Sequence, residues 1–109
     1  MAQNRYEALT EALREAVKIA TPYAFSEDGG TCNFDSLELV LPRYNEEKTL
    51  AAIRAAGVRG FKTTLWGKTM YLVSEPVQRM ANAKTRQVEK MRDVMKEKGY
   101  TAGVWYQMD

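Results

Sequence analysis

The hydrophobic positions of this 109-residue chain change period several times, and each change marks an element. Near the amino end, Tyr6, Leu9, Leu13, Ala16, Val17 and Ala20 recur at three- and four-residue spacing. Glu7, Glu11, Arg14, Glu15 and Lys18 fall between them. This pattern predicts an amphipathic helix over about 3–20, closed by Pro22. The period becomes two in LELVLP, where Leu37, Leu39 and Leu41 alternate with Glu38 and Val40 and Pro42 ends the strand. Asn45 then caps EEKTLAAIRAAG, whose early acids suit a helix start and whose Gly57 suits its exit.

Alternation returns in GFKTTLWGKTMYLV. Phe61, Thr63 and Leu65 share one parity, as do Met70 and Leu72 beyond a turn placed at Gly67-Lys68, where glycine in first position suits type II′. Ser74 and Pro76 read as the start of a third helix, with Val77, Met80, Ala81, Lys84, Val88, Met91 and Met95 on one side. On this reading the Lys84 stem covers apolar surface while its ammonium reaches water. Gly99 ends that helix, and TAGVWYQMD supplies a last strand with Ala102, Val104, Tyr106 and Met108 on one face and Trp105 and Gln107 on the other.

The predicted order is a helix followed by βαββαβ. Right-handed crossovers place both later helices on one face of a four-stranded antiparallel sheet. The expectation is therefore an α+β fold of ferredoxin-like, split-βαβ type, forming one domain over 1–109, with the helix in 1–21 and the sheet with two crossover helices in 31–109. The first strand of the hairpin and the last strand belong at the two edges. Leu37, Leu39, Leu41, Phe61, Leu65, Met70, Leu72, Val104 and Tyr106 are expected under the helices. Glu38, Val40, Lys62, Thr64, Trp66, Tyr71, Val73, Trp105 and Gln107 are expected on the opposite face. That second face is too apolar for plain wet surface.

Three readings of it stay open. The amino-terminal helix can cover it, making Trp66 or Trp105 core residues. Trp66, Tyr71 and Trp105 beside Lys62 and Lys68 can stack unpaired bases of a single-stranded nucleic acid, with Arg79 and Arg86 of the third helix adding charge, although no RNP pattern is present. Alternatively the same aromatics anchor another protein or a second copy of the chain. The expected function is a non-enzymatic binding or adaptor module acting through protein contacts or self-association, with single-stranded nucleic-acid binding as the alternative. Candidate binding residues are Lys62, Trp66, Lys68, Tyr71, Trp105, Arg79 and Arg86.

Composition limits the chemistry. The chain is 45% hydrophobic and 28% charged, within the globular range. Its net charge of +2 is unevenly spread, with three basic and seven acidic side chains up to Pro42 against thirteen and seven from Arg43 onward. Such a gradient can steer an anionic partner or simply keep the surface soluble. Histidine is absent, which removes the commonest neutral-pH base, and the single cysteine forms no internal disulfide and fits a reducing compartment. Neither a phosphate loop nor a dinucleotide fingerprint occurs, and no cofactor is expected. A remote enzymatic alternative uses Cys32 as nucleophile with Asp28 or Asp35 orienting a base. Asp28, Asn33 and Asp35 offer oxygens to a cation but depart from the calcium-loop order, so no metal is assigned. No apolar run is long enough for a signal or a membrane span, which makes the cytoplasm the expected location and a membrane an unexpected partner. SEDGGTCNFDS reads as the joint between helix and sheet, with Gly29-Gly30 turning the chain and a late strand start near Asp35-Ser36.

Overall fold

The computed structural model describes residues 4–25, 35–78 and 81–106. Its elements are α1 (Arg5–Ala20), a 3-10 turn (Thr21–Phe25), β1 (Ser36–Val40), α2 (Glu46–Ala55), β2 (Gly60–Leu65), β3 (Lys68–Val73), α3 (Ala81–Glu97) and β4 (Thr101–Trp105). The strands form one antiparallel sheet in the order β2-β3-β1-β4. This is the βαββαβ arrangement of the ferredoxin-like α+β fold, preceded by one helix, as the element order predicts. The hairpin's first strand and the last strand are the two edges.

Local chemistry sets the helix ends. Asn4 caps α1, its Oδ1 accepting from the backbone N–H of Tyr6 and of Glu7, both at 2.9 Å. Asn45 does the same for α2, accepting from Lys48 N at 2.9 Å. Gly57 and Gly99 leave α2 and α3 with φ of 89° and 93°, values that an L side chain would make costly.

α1 lies in the same layer as α2 and α3, between them. Thr10 Oγ1 donates to the Ala52 carbonyl at 3.0 Å, and Arg14 donates to the Ala55 carbonyl at 3.4 Å, tying α1 to α2. Lys98, just past α3, pairs with Glu15 on the other flank. Leu9, Leu13 and Ala16 share one buried cluster with Leu37 and Leu39 of β1, Ile53 of α2, and Val88, Met91 and Met95 of α3. The first of the three readings is thereby corrected: α1 does not cover the second sheet face. α1 fills the groove between the two crossover helices instead, burying Thr10 and Ala12 as well as Leu9, Leu13, Ala16 and Ala20 of its predicted stripe.

The strand faces are half as expected. Leu37 and Leu39 of β1 lie opposite Val104 and Ala102 of β4, so all four face the helices and Trp105 faces away. On the other side, however, Leu37 pairs with Val73 and Leu39 with Tyr71, and Lys62 and Gly60 continue that row into β2. Tyr71, Val73 and Lys62 are thus on the helix side, whereas Phe61, Leu65, Met70 and Leu72 face away. The hairpin's own grouping holds, and its orientation is reversed. β3 buries Met70, Tyr71, Leu72 and Val73 alike, so its alternation carries no information about which parity meets the helices. Gly60 provides a physical reason for the choice: a Cβ there would sit 3.2 Å from Ile53 and 3.1 Å from the Leu72 carbonyl, so the missing side chain lets α2 descend onto the edge strand.

Two further expectations change. The hairpin turn is Trp66-Gly67, one residue earlier, with φ of 51° and 78° and Leu65 paired to Lys68; positive φ at both positions is the type I′ signature. Moreover, α3 begins at Ala81 rather than after Ser74. Ser74 is used instead as a bridge to Arg59, whose carbonyl accepts from Ser74 N at 2.9 Å. Gln87, fully buried, holds the preceding segment by donating to the Val77 carbonyl at 3.0 Å and accepting from Val77 N at 3.1 Å. The readings of Asp28, Gly29-Gly30, Cys32, Asn33, Arg79, Met80, Gln107 and Met108 fall outside the described residues.

Candidate functional site

No described helix packs on the second sheet face. Its rows contain Ser36, Glu38 and Val40 from β1, Phe61, Thr63 and Leu65 from β2, Lys68, Met70 and Leu72 from β3, and Thr101, Gly103 and Trp105 from β4. Met70 and Leu72 are buried, but Phe61 is 56% exposed. Trp66, at the hairpin tip, is 92% exposed while its ring lies 5.9 Å from that of Trp105, tilted by 39°. Two tryptophans, one at the hairpin tip and one at the end of the edge strand β4, therefore share one patch.

The charge on this face is internally balanced. Lys68 Nζ donates to Glu38 Oε1 at 2.5 Å, and Glu38 is opposite Gly103, where a Cβ would lie 3.9 Å from its Oε2. The carboxylate is mostly covered and the ammonium half-exposed. Such a pair adds little net stability at a surface but fixes both side chains against the sheet.

The seven sequence-predicted residues divide accordingly. Trp66, Lys68 and Trp105 come together on the helix-free face. Lys62 and Tyr71 lie on the opposite face, directly across from each other, with Lys62 Nζ 3.7 Å from Glu46 Oε1. Tyr71 is 2% exposed, a core residue rather than a stacking platform. Arg86 is exposed on α3, away from the tryptophans, and Arg79 is outside the described residues. Phe61 lies on the same face as the tryptophans although its parity had assigned it to the core.

Sequence reasoning also missed a buried polar cluster at the start of α3. Asp35, 2% exposed, accepts from Thr85 Oγ1 at 2.7 Å. Glu75, 3% exposed, has the Lys84 ammonium at 3.6 Å, so Lys84 turns to a buried acid and not to water. Neither contact leaves a local spacing signal, because the partners are 50 and nine positions apart in sequence. The two contacts tie the first turns of α3 to Asp35, next to β1, and to Glu75 in the segment before the helix. Among the described residues, no group of three or more potential ligands could hold a metal ion, and no helix is long and apolar enough to cross a membrane.

Comparison with models of known families, with curated proteins and with solved structures gave no match, so the geometry of the helix-free face stands on its own as the guide to function.

Proposed function

We propose that the chain is a small non-catalytic binding module that meets a protein partner, or a second copy of itself, through the helix-free sheet face. The observation that carries this reading is Trp66. It occupies a type I′ position at φ 51°, where asparagine or glycine would be relaxed, and it places a large ring 92% in solvent beside Trp105. A bulky residue kept at a strained and exposed position is a sign of selection for contact rather than for stability. The Trp66–Trp105 pair is the kind of aromatic centre on which protein interfaces concentrate their binding energy.

Single-stranded nucleic acid is less well supported as a ligand. The tryptophans offer stacking surface, but Lys62 is on the other face beside Glu46, and Lys68 is engaged by Glu38. Phosphate neutralisation needs cations on the same face as the stacked bases.

Sedimentation velocity over roughly a hundredfold range of concentration tests the reading. The expected result is concentration-dependent self-association, or retention of a defined partner, that Trp66→Ala and Trp105→Ala each abolish with the fold intact by circular dichroism. A monomer at every concentration, with no partner whose retention depends on Trp66, rejects it.

A further inference from the structure

The β2–β3 hairpin is longer than the part of it that belongs to the sheet. β2 and β3 pair from Gly60–Val73 out to Leu65–Lys68, whereas β3 pairs with β1 only from Tyr71 to Val73. Past Tyr71 the hairpin parts from β1, and a cavity of about 230 Å³ lined by Leu41, Tyr44, Thr69 and Tyr71 opens where they separate.

The register also says where the free end goes. Trp105 is opposite Ser36, which stands one position past the Leu37–Val73 pair, so Lys68 is six positions along β3 from the level of Trp105. At about 3.3 Å per residue, a flat sheet would hold the tip about 20 Å from Trp105. Yet the Trp66 ring is 5.9 Å from that of Trp105, and Lys68 Nζ is 2.5 Å from Glu38 Oε1. The hairpin tip is therefore folded back over the helix-free face. Met70 and Leu72, inside the bend, are 2% and 7% exposed with no described helix above them.

What covers this face is thus a tip carrying a ring and a cation, laid on a surface that offers a ring and a carboxylate. The two halves are complementary, and every copy of the chain has both. The hold of the tip on its own face is slight. Trp66 keeps 92% of its surface in solvent, and an ion pair with a half-exposed lysine contributes at most about 1 kcal/mol. We infer that two copies of the chain exchange hairpin tips, each laying its Trp66 and Lys68 on Trp105 and Glu38 of the other. The inference rests on the helix-free face being the contact surface, and it names a second copy as the partner. A twofold axis makes both contacts twice and closes the assembly at two chains. Straightening the hairpin past Tyr71 breaks no pairing with β1, so exchange leaves the sheet intact. In the exchanged pair each Trp66 lies between two chains, which buries apolar surface that a single chain leaves in water.

Mixing experiments with the full chain separate exchange from a contact within one chain. Lys68→Glu and Glu38→Lys each set like charges together, and each variant alone is expected to self-associate at least roughly tenfold more weakly than the parent in sedimentation velocity. Their equimolar mixture is expected to recover the parent affinity, because each tip then meets an opposite charge on the other chain. The chain has two tryptophans, so Trp66→Ala and Trp105→Ala each lack an indole pair. Mixed at high concentration, they are expected to produce the far-ultraviolet circular dichroism couplet of neighbouring indoles, which neither gives alone. If Glu38→Lys does not fold, the tryptophan mixture decides by itself. Self-association of the parent with no gain on mixing and no couplet overturns the exchange and leaves the face as the contact surface. A monomeric parent that retains another protein through Trp66 does the same. A parent that is monomeric at every concentration and retains no partner overturns both.

Discussion

At the scale of single residues, the positions that break local rules carry the most information. Trp66 costs the hairpin backbone strain of about 1 kcal/mol, because its Cβ crowds the carbonyl at positive φ. Trp66→Asn restores the preferred Asn-Gly turn and should raise the unfolding free energy by about that amount in urea titration, while weakening any association through the second face. A variant that is both less stable and equally associated would contradict the assignment of strain to contact. Tyr106 gives a pH signature. Its hydroxyl donates to Glu89 at 2.7 Å, and this bond, with partial burial and the Glu89 charge, pushes the phenol above its ordinary value of 10.0. Since the protonated form is the one stabilised, the contribution is complete below pH 10 and is lost as pH climbs through the raised folded value. The melting-temperature advantage of the parent over Tyr106→Phe should therefore hold at neutral pH and shrink in alkali above pH 10.

At the scale of elements, packing decided what periodicity could not. Leu13 is fully buried where α1 fits between its neighbours, so Leu13→Ala should cost about 2–5 kcal/mol in chemical denaturation, the range for a leucine deleted from a close-packed core. Gly60→Ala places a methyl group 3.1 Å from a backbone carbonyl that cannot yield easily, and a loss of about 1–3 kcal/mol is expected by the same measurement. Both elements concerned were legible in the sequence: the leucine stripe, the Asn45 cap, the exits at Gly57 and Gly99 and the alternation of β1 and β4 each report a local preference that the fold obeys. The facing of the hairpin was not, because both parities of β3 are apolar and the deciding residue, Gly60, acts by what it lacks. The start of α3 was equally hidden. Ser74 and Pro76 mimic a helix entrance, yet Gln87 of α3 bonds back to the Val77 backbone ten positions earlier and holds that segment out of the helix. Of the candidate site, Trp66, Lys68 and Trp105 were brought together as expected; Lys62 and Tyr71 went to the other side with the rest of their strand rows.

At the scale of the whole molecule, the three described helices occupy one side and Trp66, Trp105 and Phe61 the other, so the sheet separates two chemically different surfaces. The helix-free side is apolar and carries the Lys68–Glu38 pair, with no excess of one sign between those two groups. Association through it should therefore be insensitive to added salt or strengthened by it, whereas nucleic-acid binding would weaken steeply with salt concentration. Sedimentation at low and high ionic strength distinguishes the two outcomes. The placement of α1 has a further consequence, for the order in which the molecule is built. The helix made first has partners at Ala52 and at Lys98, and its apolar side is closed only when α3 has been synthesised through to its end. Its contacts are among the longest-range in the chain, so their loop-closure cost falls late and the two crossover units can assemble before it docks. During synthesis the stripe of Leu9, Leu13 and Ala16 is an unpaired adhesive surface on the nascent chain, which makes α1 the segment that a chaperone would hold and the last to gain protection from hydrogen exchange during refolding.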